Sequence, residues 1–183
     1  MIRMSLAASL VAMLAGCATP PGIATEPAAR TLVLEQFFVG RTIGDGVFVN
    51  TLTGAERRVH VLLDGRWNGK TLRLFEDFYF ADGERQQKTW SLFKTGPNSY
   101  SGTREDVIGT AIGTQDGTQV RLAYDARLIS NGSPVEVRFD DVLALQPDGS
   151  LLNKAVVSKF GVKIGDVTLR IRHARQKTIV VGG

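Results

Sequence analysis

A chain of 183 residues, 43% hydrophobic and 22% charged, is long enough for one domain with a real core and too ordinary in composition for a fibrous or disordered protein. Its net charge of +4 is scattered (Arg57, Arg58, Lys70, Arg85, Lys154, Arg170, Arg172, Arg175), with no dense basic block, which argues against nucleic acid as a partner. Cysteine occurs once, at Cys17, and histidine twice, at His60 and His173, so the folded domain has no material for a disulfide, a thiol nucleophile or a Cys/His metal centre. No metal and no cofactor is expected.

In chain order, the first element is a targeting signal. Arg3 gives a short positive region, and Ser5 to Leu14 is an apolar run of about ten residues, half of the roughly twenty that span a bilayer. It ends in Leu14-Ala15-Gly16-Cys17, which resembles the bacterial lipobox. That likeness implies cleavage before Cys17, a diacylglycerol on its sulfur and an acylated amino group, and several chains anchor stably where one is marginal. Ala18 follows, where aspartate is the usual signal for inner-membrane retention; the expectation is the outer membrane of a Gram-negative envelope, facing the periplasm. Residues 18–30 (ATPPGIATEPAAR) read as a flexible tether reaching at most about 40 Å. The expected division is 1–16 signal peptide, 17–30 acylated cysteine and tether, 31–175 folded domain and 176–183 C-terminal tail.

Within the domain, Leu32 to Phe38 (LVLEQFF) reads as a short helix or a plug. Turn signals then recur at Asn68-Gly69, Asp82-Gly83, Gly96-Pro97-Asn98, Asp116-Gly117, Asn131-Gly132, Pro147-Asp148-Gly149 and Gly165-Asp166. The intervening segments alternate with period two: Leu72, Leu74, Glu76, Phe78 and Phe80 share a face, as do Val120, Leu122, Tyr124, Ala126 and Leu128, and Val135, Val137, Phe139, Asp141, Leu143 and Leu145. Gly40, Gly44 and Gly46 in FFVGRTIGDGVF precede a strand-like stretch rather than a helix, so a bulge or barrel-mouth role is expected instead of a phosphate loop. Ser158 to Gly165 reads as a bent strand near the last hairpin. The whole predicts an all-β, antiparallel up-and-down barrel of about 8–9 strands, lipocalin-like in the broad sense, with a two-sheet sandwich as the alternative.

Two carboxylates interrupt apolar faces. Alternation turns Glu76 inward with Leu74 and Phe78, and Asp141 inward between Phe139 and Leu143. A buried carboxylate must be paired, hydrogen-bonded or protonated. Arg104 and Lys159 are the candidate counter-ions, and Tyr124, Trp90 and Asn153 the candidate hydrogen-bond partners. Three roles stay open: a structural network, a ligand contact within a greasy interior, and general acid–base catalysis by Glu76 or Asp141. As a candidate ligand site the set is Glu76, Trp90, Arg104, Tyr124, Asp141 and Lys159; no catalytic residue is assigned.

Taken together, Phe37-Phe38-Val39-Gly40, Gly44-Asp45-Gly46, Glu76-Asp77-Phe78, Asp82-Gly83, Trp90, Gly102, Asp106-Val107-Ile108-Gly109-Thr110-Ala111, Asp140-Asp141, Asn153 and Lys159-Phe160-Gly161 resemble the DUF3833 family of bacterial lipoproteins, a family of unknown function. Leu143 departs from the pattern where a bulkier aromatic is expected. The resemblance implies an envelope lipoprotein, supplies no catalytic residues, and favours a lipid-related role. The leading expectation is a membrane-anchored barrel that binds or carries a lipid or other apolar ligand. An enzyme acting on such a ligand through a buried carboxylate ranks below it, beside a structural or assembly lipoprotein.

Overall fold

The computed structural model describes residues 30–130 and 132–174. The signal, Cys17, the tether up to residue 29, Asn131 and the C-terminal tail lie outside the described residues. A four-residue helix, α1 (Leu34–Phe37), precedes ten strands: β1 (Gly40–Asn50), β2 (Glu56–Trp67), β3 (Thr71–Phe80), β4 (Arg85–Gly96), β5 (Ser99–Thr103), β6 (Val107–Asp116), β7 (Gln119–Ser130), β8 (Ser133–Leu145), β9 (Leu151–Lys159) and β10 (Val162–His173). Each strand pairs antiparallel with its chain neighbours, and β1 pairs with β10 from Thr42↔His173 to Asn50↔Gly165, closing the barrel. Closure leaves no edge strand to template aggregation.

Ten strands stand where about eight or nine are expected because three reversals carry no Asx-Gly or Pro signal. One is Thr51 to Ala55 between β1 and β2, and another is Arg104-Glu105-Asp106 between β5 and β6. The third is Phe160-Gly161 between β9 and β10, where Phe160 takes φ +53° and Gly161 φ +77°. Gly165-Asp166 is therefore not a turn: both residues pair within the sheet, Gly165 with Val157 and Asp166 with Val156, after a bulge at Lys163 to Gly165. Gly44 and Gly46 likewise mark neither bulge nor mouth. They lie inside β1, where a Cβ on Gly44 would meet Val61 Cγ1 at 2.7 Å and one on Gly46 the Thr168 carbonyl oxygen at 2.3 Å.

The two ends differ. At the lower end, Leu32, Leu34, Phe37 and Phe38 are buried and join the core cluster with Leu63, Leu72, Leu92, Val120, Leu151 and Ile171. The LVLEQFF segment is thus both short helix and plug. Leu32 N–H donates to the Gly117 carbonyl, and Glu35 is held by Lys94 at 2.6 Å and the Tyr100 hydroxyl at 2.8 Å. Gly65 on β2 makes the seat: a Cβ there would lie 1.8 Å from the Phe38 carbonyl oxygen. At the upper end the connections are turns, and inward-facing apolar side chains such as Phe48, Phe78, Phe80, Leu128, Phe139 and Val167 are only partly buried.

The wall is also uneven. β5 is five residues long and pairs with β4 no further up than Ser91↔Thr103, so Arg85 to Trp90 have no β5 neighbour. The Glu105 carboxylate takes the Thr89 N–H at 2.8 and 3.0 Å in place of the missing strand. On the other flank Arg127 N–H donates to the Asp106 carbonyl at 2.8 Å, and β6 carries a bulge between Ile108 and Ile112.

Gly65→Ala is expected to lower stability by about 1–3 kcal/mol, the usual range for overpacking a tight site, because the added methyl collides with backbone rather than with a movable side chain. Urea unfolding checks this: an unchanged midpoint would mean that the plug does not seat on Gly65.

Candidate functional site

The notch left by the short β5 is filled from within by charge. Lys88 faces inward on β4 with Trp90 and Leu92, because residues two apart share a face. Arg104 and Asp106 come from the β5–β6 turn, and Glu76 from β3. Arg104 donates Nε to Asp106 Oδ1 at 2.7 Å, Nη2 to Asp106 Oδ2 at 3.2 Å and Nη1 to Glu76 Oε2 at 3.2 Å. Lys88 Nζ donates to Asp106 Oδ2. The side chains of Arg104, Glu76 and Asp106 are only 8%, 10% and 12% exposed, so these pairs sit far from bulk water. The guanidinium lies 4.7 Å from the Trp90 ring centre and 5.6 Å from that of Tyr124. Tyr124 in turn meets Trp90 edge-on at 5.2 Å and stacks on Phe139 at 5.1 Å.

The electrostatics follow from who holds which donors. Burial works against the charge of Arg104, yet Tyr124, Glu76 and Asp106 outweigh it and raise its pKa further. Burial likewise pushes Asp106 up, but Arg104 and Lys88 overcome it and hold the carboxyl below its ordinary range. Glu76 has one long hydrogen bond from Arg104, and there desolvation wins: its pKa is raised. Asp141 is deeper still, 7% exposed, facing inward on β8. Its Oδ1 accepts the Asn153 side-chain N–H at 2.8 Å, while its Oδ2 and the Asn153 Oδ1 have no hydrogen-bond partner. Burial pushes the Asp141 carboxyl up to about 6, against the opposing pull of Asn153, Arg104 and the Tyr124 hydroxyl.

Of the six candidate ligand-site residues, the fold thus groups Glu76, Trp90, Arg104 and Tyr124 and places Asp141 in the same interior, beside Asn153. Trp90 and Tyr124 approach Arg104 with ring faces, and the Tyr124 hydroxyl also bears on Asp141, favouring its carboxylate. Lys159 stands apart: its Nζ lies over the exposed Phe160 ring at 5.4 Å, on the upper rim, so it is not the counter-ion of an interior acid. Sequence reasoning missed Lys88 and Asp106, although the parity of Lys88 with Trp90 was there to be read. It missed Glu35 too, the single acid in LVLEQFF. An open groove of about 360 Å³ follows the notch outside the cluster, between Gln87, Glu105, Ile108 and Ile129, with Lys88 and Asp106 at its floor. The two histidines lie elsewhere: His60 Nδ1 is 2.7 Å from Asp45 Oδ1, and His173 packs on Phe37. Among the described residues there is no cluster of metal-ligand type.

A closed antiparallel barrel, plugged at one end by its own N-terminal segment and polar at the heart of the other, is a lipocalin-like barrel. The chain belongs to the DUF3833 family, described as a protein of unknown function, whose model matches residues 11–173. No curated protein matches it. Among solved structures it is similar to the S-type phycobiliprotein lyase CPES from Guillardia theta, with a TM-score of 0.57 at 9% identity, covering 78% of this chain and 92% of that one. It is also similar to Rv2717c from M. tuberculosis, with a TM-score of 0.54 at 14% identity, covering 79% and 99%. Likeness at such identities establishes the fold alone.

Arg104→Met is expected to cost about 3–5 kcal/mol, since it strands Glu76 and Asp106 in the interior. Adding Glu76→Gln should recover part of the loss, and a double-mutant cycle in urea measures the coupling. Asp141 predicts a pH slope. Its folded pKa of about 6 exceeds its ordinary 3.8, so the folded state keeps a proton that the unfolded chain releases between those values. The contribution is fully present below about pH 4 and lost as pH rises through 6, about 3 kcal/mol in all. Asp141→Asn should therefore match the wild type near pH 4 and exceed its stability at pH 7; parallel stability–pH curves would refute the burial argument.

Proposed function

We propose that the chain is a lipoprotein of the bacterial outer membrane, acylated at Cys17, whose barrel holds a lipid-like or other apolar small molecule through its upper end. The observation that carries this reading is the asymmetry of the interior. The lower half is closed by Leu32 to Phe38, whereas in the upper half Phe48, Phe78, Phe80, Leu128 and Phe139 face the axis and remain partly accessible. Apolar side chains turned inward yet reached by solvent are what an apolar ligand would cover. The Leu14-Ala15-Gly16-Cys17 motif supports the anchor. Leu32, two residues past the expected tether, lies at the plugged lower end beside Gly117, which leaves the other end free for exchange.

Catalysis finds less support. The Glu76 and Asp106 charges are consumed by Arg104 and Lys88. No side chain is poised as a nucleophile beside a base among the residues of this interior.

The test is native mass spectrometry of the acylated protein taken from membranes of its own host. A co-purifying small molecule, exchangeable for added lipid, is expected; a bare chain that takes up none would overturn the binding reading. For the anchor, Cys17→Ser is expected to lose the diacylglycerol mass and to leave the outer-membrane fraction on a density gradient. An unchanged mass and fractionation would remove the lipoprotein assignment.

A further inference from the structure

We propose that Asp141 Oδ2 and Asn153 Oδ1 form an acceptor pair for the bound molecule, which must carry an N–H or O–H donor on an otherwise apolar body. This rests on the ligand-binding reading and narrows its substrate class. Asp141 is more than nine-tenths buried, on the inward face of β8 between Phe139 and Leu143. Asn153 projects from β9 opposite Leu143, one step from Ala155, the strand partner of Asp141. One hydrogen bond joins the two side chains, from Asn153 Nδ2 to Asp141 Oδ1 at 2.8 Å. That bond uses an acceptor of Asp141 and a donor of Asn153, so the oxygens left over are both acceptors, and neither has a partner.

In this structure no protein donor is hydrogen-bonded to either oxygen. The Arg104 nitrogens Nε, Nη1 and Nη2 are directed to Asp106 and Glu76, and Lys88 is directed to Asp106. The Tyr124 hydroxyl is near enough to favour the Asp141 carboxylate but makes no hydrogen bond with its open oxygen. Buried polar atoms in native proteins are nearly always satisfied, and two adjacent exceptions of the same kind point to a missing donor. Half-buried Phe139 lies immediately above Asp141 on the same face, so a molecule entering from the upper end passes an apolar ring before meeting the acceptors. A fatty-acid anion would bring a third acceptor to the pair and is disfavoured. A fatty amide, an alcohol or a ring N–H fits.

Dodecanamide and methyl dodecanoate share a chain and differ in the donor. Native mass spectrometry of the full acylated protein in micelles at pH 7.5 is expected to give the amide a Kd at least about tenfold lower, the worth of one good hydrogen bond. Asp141→Leu is expected to erase that preference while the ester still binds, and Asn153→Leu to reduce it should the first variant fold poorly. Equal affinities in the wild type would overturn the donor requirement, with a trapped water then satisfying the pair, and leave ligand binding intact. A preference that survives both substitutions would place the donor contact elsewhere and overturn the assignment. Uptake of neither probe by a protein also bare from its host would remove both readings.

Discussion

The barrel's upper half depends on one buried guanidinium. β5 is too short to complete the wall, and Arg104, at the turn that ends it, lies across the gap with Glu76 on one side, Asp106 on another and the faces of Trp90 and Tyr124 around it. Each partner removes a cost that the others would otherwise carry. The two carboxylates compensate a desolvated cation, the cation compensates them, and the rings exclude water that would screen all three. Such an assembly is no cheap source of stability, since well-packed apolar side chains of the same volume often do as well. What it fixes is geometry: a bidentate Arg104–Asp106 pair ties the turn to itself, and Glu76 ties it to β3.

The lower end solves the converse problem. A ten-strand barrel has more interior than its own wall residues fill at both ends, and here the chain spends its entry segment on the deficit. Four large apolar side chains from Leu32 to Phe38 enter the core, and a single glycine on β2 lets the backbone at Phe38 approach the sheet. Glu35 would oppose such burial if left alone. Held by Lys94 and Tyr100, its carboxyl titrates lower than usual even though burial raises it. The plug is therefore latched by a charged contact and packed by apolar ones, and the end at which Leu32 meets Gly117 is the closed one.

How far this could be read from sequence follows the physics of each signal. Alternation is local, so the inward direction of Glu76 and Asp141 was legible, and so were the hairpins at Asn68-Gly69, Asp82-Gly83 and Asp116-Gly117, where glycine takes the positive φ. Reversal at Arg104-Glu105-Asp106 is stabilised by tertiary contacts, the Glu105 carboxylate on Thr89 and the Asp106 carbonyl on Arg127, and no local pattern announces those. The turn at Phe160 breaks local preference outright, with a bulky residue at positive φ, while Gly165-Asp166 imitates a turn inside a paired strand. Pairing between distant strands decided the remainder: Arg104 rather than Lys159 reaches Glu76 because register, not charge, chooses the partner.

Glu76 and Asp141 both face the interior and burial raises the pKa of both, but only Glu76 is hydrogen-bonded to a cation, and the difference is a matter of counting charges. Glu76 and Asp106 carry two negative charges against the two positive charges of Arg104 and Lys88, so that cluster closes on itself. Asp141 lies beyond the balance, with a neutral amide for its neighbour. It has only two ways to lower its free energy: it can take a proton, which its raised pKa already favours, or its open oxygen can accept a hydrogen bond that no group makes in this structure. The same interior that makes Glu76 a fixture of the wall thus leaves Asp141 as its one unfinished polar position among those two acids, and its chemistry is that of an acceptor waiting on a donor.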